Sequence, residues 1–90
     1  MIVSHTTERF RKAFRDLPDY VKKQAKTAYK QFRENPYHPS LHFKKIHQEK
    51  PVYSARISDN YRAVGIKKGN TLIWFWIGPH TEYERLLYHL

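Results

Sequence analysis

Apolar side chains in the first third of the chain recur every three or four residues, the spacing that places them on one face of an α-helix. The first stripe consists of Phe10, Ala13, Phe14 and Leu17, and the second of Val21, Ala25, Ala28 and Phe32. Thr6 or Thr7 can cap the first helix, and Pro18 suits the first turn of the second. Asn35-Pro36 ends the second helix. The pattern predicts an αα-hairpin that follows a short strand at Ile2 and Val3.

From Leu41 onward the apolar residues follow the two-residue period of β-strands. Alternation over 52–57 and 61–67, and an almost unbroken apolar run over 72–77, predict three further strands. Turn-forming residues separate these strands, and Gly78-Pro79 ends the last one. The composition that follows is typical of a short terminal helix. We therefore expect the elements of an α+β fold, with two N-terminal helices, an antiparallel sheet of about four strands and a short C-terminal helix.

The turn between the first two long strands determines which side chains face each other. A three-residue loop over 58–60 pairs Ile57 with Tyr61. The same register sets Arg56 directly opposite Arg62 on one face of the sheet. Two guanidinium groups in this position repel each other, so the arrangement favours an anion between them.

The charge balance indicates the kind of partner. The 90 residues contain 17 Lys and Arg against 8 Asp and Glu, for a formal net charge of +9. A field of this sign attracts polyanions, with nucleic acid or an acidic protein as the obvious candidates. The alternative is that the lysines only form the solvated faces of the two helices. The hydrophobic fraction of 40% and aromatic fraction of 16% exclude a disordered tail and fit a single domain over 1–90.

Several function classes lack their sequence features. No apolar run reaches the length of about 18 residues that a membrane span needs, and the start lacks the apolar core of a signal peptide. We therefore expect a cytoplasmic protein without a membrane partner. The absence of cysteine excludes disulfide scaffolds, thiol catalysis and Cys-ligated zinc.

Arg56, Arg62, His80 and Tyr83 form the candidate catalytic site. An RNA strand can be cleaved by attack of its own 2′-hydroxyl on the neighbouring phosphate. This reaction needs a group that takes the hydroxyl proton and a group that protonates the departing 5′-oxygen. It also needs cations that stabilise the charge on the phosphoryl group. Arginine binds two phosphate oxygens, and histidine exchanges protons near neutral pH. Tyr83 falls on nearly the same helical face as His80 and can stack on a base or donate to phosphate. The alternatives are solvated arginines, a helix-terminal histidine and a packing tyrosine.

A second group of cations and imidazoles precedes these strands. It consists of His38, His42, Lys44, Lys45 and His47. If 41–46 is a strand, His42 and Lys44 share one face, with Phe43 and Lys45 on the other. No further cluster completes a tetrahedral zinc site, so we predict no metal. We expect His42, Lys44, Lys45 and His47 to contact the RNA backbone, with a solvated loop as the alternative. Trp74 and Trp76 are expected in the core.

These motifs resemble the RelE/ParE toxins of bacterial type II toxin–antitoxin systems. The resemblance covers nearly the whole chain and lies in Leu17-Pro18, in the Asn-Pro-x-x-Pro-Ser-Leu connection over 35–41, and in the segment 53–64. That last segment is similar to the family's Arg-Ile-x-(Asp/Gly)-x-(Tyr/His)-Arg hairpin. The segment 76–83 resembles its closing strand and histidine element.

The resemblance implies two helices against a curved antiparallel sheet and an acidic cognate antitoxin as partner. RelE-like members cleave mRNA, generally on the ribosome, without metal or small-molecule cofactor, and ParE-like members poison DNA gyrase instead. By position, Arg62 matches the phosphate-binding arginine, His80 the histidine acid or base, and Tyr83 the terminal tyrosine. Lys44, Lys45 or His47 match the basic residues of the preceding strand.

Two positions depart from the family pattern. Thr81 stands where several subgroups have arginine, and Glu49 is the only carboxylate near the position of a base. We expect an mRNA endoribonuclease toxin that acts by 2′-hydroxyl transesterification. A ParE-like gyrase inhibitor and a non-enzymatic RNA-binding module are the alternatives.

Overall fold

The computed structural model describes residues 2–90. Its elements follow in the order β1 (Val3–Thr6), α1 (Glu8–Arg15), α2 (Asp19–Glu34), a 3-10 turn (Pro39–Leu41), β2 (Lys44–Lys45), β3 (Val52–Ser58), β4 (Tyr61–Lys68), β5 (Thr71–Pro79) and α3 (His80–His89). The predicted α+β fold, with two N-terminal helices and a C-terminal helix, is confirmed. Within residues 2–90, no helix has both the length and the apolar character needed to cross a membrane.

The strands form a single sheet in the order β1-β5-β4-β3-β2. The neighbours among β2 to β5 are antiparallel, as the sequence predicts. The predicted N-terminal strand runs over Val3–Thr6 and joins β5 in parallel, which makes five strands in place of about four. Parallel pairing is possible here because a long stretch of chain, including both N-terminal helices, connects β1 to β5.

The N-terminal helices begin where the sequence predicts, and α2 also ends there, whereas α1 ends at Arg15 and leaves Leu17 outside the helix. Thr7 caps α1, because its Oγ1 accepts a hydrogen bond from the Phe10 N–H at 3.1 Å. Pro18 directly precedes α2, and Asn35 follows it as the C-cap. The predicted apolar face of α2 is the buried one, formed by Val21, Ala25, Ala28 and Phe32.

Helices cover both faces of the sheet, which gives two apolar clusters. Side chains of α1 and α2 pack on one face around Leu72 and Trp74, and α3 packs on the other around Val64 and Tyr83. The register between β4 and β5 shifts at one point. The adjacent residues Val64 and Gly65 are opposite Trp76 and Trp74, which are two residues apart in β5. This bulge turns the two tryptophans to opposite faces. Trp74 is buried, as predicted, and Trp76 is partly buried against the second cluster.

Candidate functional site

The β3–β4 hairpin holds the predicted arginine pair. Arg56 is directly opposite Arg62, as the sequence predicts. The turn itself differs, because Ser58 pairs with Tyr61 and a register shift follows Arg56. The connection is therefore a tighter turn with a bulge at Ile57, in place of a three-residue loop. The extra residue of the bulge compensates for the shorter turn, so the arginine register is unchanged.

Groups of the same turn contact one nitrogen of each guanidinium group. The Arg56 Nη2 forms a salt bridge with the Asp59 carboxylate. Arg62 Nη1 donates to the carbonyl oxygens of Ser58 at 2.6 Å and Tyr61 at 2.9 Å. The Asp59 side chain is 81% exposed, so an incoming anion can replace its carboxylate at Arg56. The anion that the sequence predicts at this pair is thus supplied in part by the protein itself.

The surroundings of Arg62 disfavour its positive charge. Burial lowers the pKa of the Arg62 guanidinium, and the nearby charge of Arg56 lowers it further, whereas Tyr83 raises it. Arginine nevertheless stays protonated in proteins. A bound anion would relieve the repulsion between the two guanidinium groups. The arginine pair therefore has the electrostatic character of an oxyanion-binding site.

His80 is the first residue of α3 and lies beside this hairpin. Its backbone N–H donates to the Asn60 carbonyl at 2.6 Å, which ties the start of the helix to the β3–β4 turn. The register of β4 with β5 places Gly78, two residues before His80, opposite Arg62. The arginine pair and the imidazole are therefore held at one end of the sheet by backbone contacts.

The two nitrogens of the His80 ring have different surroundings. Nε2 lies 3.0 Å from Oε1 of Glu84, one helical turn along α3. Nδ1 is buried and has no hydrogen-bond partner within residues 2–90. With Nε2–H donating to the carboxylate, Nδ1 is the unprotonated nitrogen of the neutral ring. Because Nδ1 is buried, Nε2 is the ring nitrogen that a bound molecule can reach.

Tyr83 lies behind His80, within the second apolar cluster. Its side chain is 7% exposed, and its hydroxyl donates to Ser54 Oγ at 3.2 Å. The ring stacks on His80 with centroids 5.9 Å apart and lies 6.3 Å from Trp76. Trp76 in turn covers Gly78, where an added Cβ would meet the indole at 2.8 Å. These contacts support the His80 ring from beneath.

The predicted strand over 41–46 is wrong for most of its length. Only Lys44–Lys45 pairs with β3. Leu41 is buried in the 3-10 turn that begins at Pro39, and His42 ends that turn with a φ of 43°. The 3-10 turn and the left-handed φ of His42 interrupt an extended backbone there. His42 and Lys44 consequently do not share a strand face.

The remaining predicted RNA-binding residues lie in different places. Lys44 is opposite Ser54 and Lys45 opposite Tyr53, so adjacent lysines face opposite sides of the sheet. Lys44 shares the face of the arginine pair. His47 Nδ1 accepts hydrogen bonds from two backbone N–H groups of the following loop, at 3.1 and 2.9 Å. The His47 ring therefore organises the loop and leaves only its other nitrogen free.

The structure adds two carboxylates that the sequence reasoning missed. Glu84 follows His80 by four residues, a spacing that indicates contact on a helix and could have identified it. Asp59 belongs to the turn and contacts Arg56 only because the turn is tight. Glu49, the predicted carboxylate, is exposed in the β2–β3 loop. Within residues 2–90, no three His, Asp or Glu side chains are grouped so that they could hold a metal ion.

The sequence matches a known family over most of its length. Residues 19–85 match the ParE-like toxin domain, a span that includes α2, the arginine hairpin and His80. The chain belongs to the ParE-like toxin domain family. The resemblance to the RelE/ParE superfamily is thereby confirmed. A search of curated proteins finds no significant match.

Solved structures of toxin–antitoxin proteins share this fold. A chain of the RelB–RelE antitoxin–toxin complex from Methanococcus jannaschii superposes with a TM-score of 0.72 at 20% identity, over 90% of this chain and 95% of that one. E. coli YafQ gives 0.67 at 11% identity over 92% and 98%. The E. coli RelBE toxin–antitoxin complex gives 0.65 at 21% identity over 87% and 95%. At these identities the likeness establishes the ParE-like fold and leaves the chemistry to the site residues.

Proposed function

We propose that this ParE-like domain is the toxin of a type II toxin–antitoxin system and acts as an endoribonuclease on mRNA, bound to the ribosome in the cytoplasm. The observation that carries the proposal is the attachment of His80 to the turn of the Arg56–Arg62 hairpin through the 2.6 Å bond to Asn60. This arrangement combines two phosphate-binding cations with a proton-exchanging group. Both are required for transesterification of RNA.

The arginine pair would bind the scissile phosphate. A phosphate replaces the Asp59 carboxylate at Arg56 and relieves the repulsion with Arg62. Each guanidinium can hold two oxygens, so the pair matches the charge that develops on the pentacoordinate phosphorus. Lys44, on the same face of the sheet, would contact the adjoining backbone. The net charge of +9 attracts such a polyanion from a distance.

His80 would provide the proton for the leaving group. The 2′-oxygen forms a bond to phosphorus while the bond to the 5′-oxygen breaks, which leaves a 2′,3′-cyclic phosphate and a 5′-hydroxyl. The protonated imidazole donates its Nε2 proton to the 5′-oxygen, and solvent water takes the proton of the 2′-hydroxyl. The ring is then neutral with its proton on Nδ1, and Nε2 regains a proton from solvent before the next cycle. Glu84 positions the ring through its contact with Nε2. Each step uses side chains of this chain and water alone.

Tyr83 has a positioning role in this scheme. Its hydroxyl is engaged with buried Ser54, so the tyrosine acts through the His80 ring that it supports. Lys45 faces the side of the sheet opposite the arginine pair. His42, Lys45 and His47 would serve as outlying contacts to RNA. A small-molecule cofactor has no part in the reaction.

The partner we propose is an acidic cognate antitoxin. A groove of about 740 Å³ lies between α1, α2 and the sheet. Its floor includes Phe10, Phe14 and Phe32, and Arg11, Arg15 and Lys26 also line it. A segment with apolar and acidic side chains would complement such a surface. The M. jannaschii and E. coli relatives were solved as complexes of toxin with antitoxin.

A ParE-like gyrase inhibitor is the second candidate function, favoured by the ParE-like family match itself. Such a toxin acts by binding protein, so it needs no proton exchange at His80. The two functions therefore differ in what His80→Ala does to toxicity.

The test is induction of the protein in cells followed by mapping of new 5′ ends on a reporter mRNA within minutes. Wild type, His80→Ala and His89→Ala are compared, because His89 is an exposed histidine of the same helix. We expect new ends with wild type and His89→Ala and none with His80→Ala. Toxicity without mRNA cleavage in all three strains would instead support gyrase inhibition, and binding to RNA without cleavage or toxicity would support a non-enzymatic module.

A further inference from the structure

Three aromatic rings form a continuous row at the edge of the sheet, on the face opposite the arginine pair. Tyr37, Phe43 and Tyr53 are called the aromatic row below. The Tyr37 and Phe43 centroids are 5.9 Å apart, and Phe43 stacks on Tyr53 at 5.1 Å with an interplanar angle of 25°. The rings come from the loop after α2, from the residue before β2 and from β3. The tertiary fold therefore assembles the row from separate parts of the chain.

The middle ring of the row is anchored in the core, and the Tyr37 end is open. Phe43 contacts buried Phe32 edge-on at 5.1 Å. Tyr37, by contrast, is 68% exposed, and its backbone N–H donates to the Asn35 side chain at 3.1 Å. A large aromatic ring held in place and left in water is a ready stacking surface.

Cations accompany the aromatic row. Lys67 Nζ lies 6.0 Å from the centroid of the Tyr53 ring, within cation–π distance. Lys45 is opposite Tyr53 in the β2–β3 register, so it lies on the same face of the sheet. Aromatic faces beside lysines are the combination with which proteins bind single-stranded nucleic acid.

We propose that the aromatic row binds single-stranded RNA, with an unpaired base stacked on Tyr37 and adjoining phosphates held by Lys45 and Lys67. This inference rests on the proposed RNA substrate and extends its binding path beyond the cleavage site. Stacking requires bases that are free of a duplex, and it tolerates any base because each has a π face. The row therefore contributes affinity for unpaired RNA with little sequence preference.

The fold provides a path between the aromatic row and the arginine pair. Lys44 faces the arginine side and Lys45 the aromatic side, and their strand β2 is the outermost strand on that side of the described sheet. Lys44 is one strand across from Ser54, and Ser54 is two residues from Arg56. These steps correspond to about 5 Å and about 7 Å. An RNA strand can therefore pass around the β2 edge from Arg56 to Tyr37.

The test measures binding of a fluorescently labelled single-stranded 2′-O-methyl RNA, which lacks the attacking hydroxyl. Fluorescence anisotropy gives the Kd for wild type, Tyr37→Ala, Tyr37→Phe and the control Tyr20→Ala. Tyr20 is 64% exposed on α2, outside the aromatic row. We expect Tyr37→Ala to weaken binding about tenfold, in the range of one lost base stack. Tyr37→Phe and Tyr20→Ala are expected to stay within about twofold of wild type, and Lys67→Ala to weaken binding and reduce its salt dependence.

Two results would overturn the inference. One is equal affinity of Tyr37→Ala and wild type, including the case in which neither binds. The other is an equal loss with Tyr20→Ala, which would indicate a nonspecific effect. Cleavage of the matching unmodified RNA on ribosomes is measured separately. Tyr37-dependent binding without cleavage would support the aromatic row and reject the nuclease proposal. Cleavage together with binding that does not depend on Tyr37 would support the nuclease proposal and reject the aromatic row.

Discussion

Arg56 and Arg62 face each other across the β3–β4 hairpin, and the turn between them supplies groups that hold both. Asp59 neutralises Arg56 from an exposed position, whereas Arg62 is held by backbone carbonyls and is partly buried. The two arginines therefore have different availability. Arg62 is fixed in place before an anion arrives, whereas Arg56 must first exchange the Asp59 carboxylate for the anion.

Substitution of Arg62 is expected to reduce cleavage without unfolding the protein. Arg62→Gln removes a preorganised cation from the developing phosphoryl charge, so we expect a loss of about 10²-fold or more in kcat/KM. Removal of one of two facing like charges offsets part of the lost hydrogen bonding, so the unfolding free energy is expected to change by about 1 kcal/mol or less.

Cleavage on programmed ribosomes and urea denaturation measure these two effects. The control is Arg85→Gln, an exposed arginine of α3, which removes the same charge away from the hairpin. Equal losses for the two variants would show that only net charge matters.

Asp59→Asn is expected to strengthen binding of RNA. The substitution removes the carboxylate that competes with phosphate for Arg56, so the Kd for a noncleavable RNA is expected to fall. The matched control is Asp16→Asn, which removes one exposed negative charge far along the chain from the hairpin. Isothermal titration of both variants at one salt concentration separates the local effect from net charge. Weaker binding by Asp59→Asn would mean that Asp59 organises the turn and does not compete with phosphate.

Glu84→Ala is expected to release the His80 ring. Without the carboxylate at 3.0 Å, the Nε2–H tautomer loses its partner, so the two ring nitrogens become more alike. We expect the ¹⁵N shifts of wild-type His80 to indicate the Nε2–H form at a pH where the ring is neutral, and those of the variant to move toward the average of the two tautomers. The cleavage rate is expected to fall about tenfold or more, within the range of acid–base contributions.

Glu82→Ala serves as the control because Glu82 is an exposed carboxylate of the same helix. The account of His80 would be contradicted if the tautomer signal were the same in wild type and Glu84→Ala.

Tyr83→Phe is expected to separate stability from catalysis. Loss of the hydroxyl leaves buried Ser54 without its partner, at a cost of about 1 kcal/mol in unfolding free energy. The ring remains beneath His80, so cleavage at a temperature well below the melting point is expected to stay within about threefold of wild type. A large loss of kcat in a folded variant would indicate that the Tyr83 hydroxyl contacts the RNA directly.

The sequence carries enough information to predict the arginine pair. Alternation over β3 and β4 and a short connection fix which residues are opposite, and the bulge at Ile57 offsets the shorter turn. The faces of the two tryptophans could not be predicted in the same way. The bulge in β5 turns Trp74 and Trp76 to opposite sides of the sheet. No Gly or Pro within the apolar run 72–77 indicates this bulge.

The residues before β3 could not be placed for a different reason. The apolar and basic pattern over 41–46 fits a strand, but Pro39 and the burial of Leu41 favour a 3-10 turn. Tertiary contacts thus override local alternation there. Glu84 follows His80 by four residues, so the sequence is sufficient to predict their contact on a helix. Asp59 required the turn geometry, because its carboxylate reaches Arg56 only when Ser58 pairs with Tyr61.

The chemistry of the products tests the central claim most directly. Purified protein is incubated with ribosomes programmed with a labelled mRNA, and the same message is prepared with a single 2′-deoxy nucleotide at the cleavage position. We expect a 2′,3′-cyclic phosphate and a 5′-hydroxyl on the unmodified message, no cut at the deoxy position, and no cut by His80→Ala on either. Cleavage at the deoxy position, or undiminished cleavage by His80→Ala, would contradict transesterification at the arginine–histidine site.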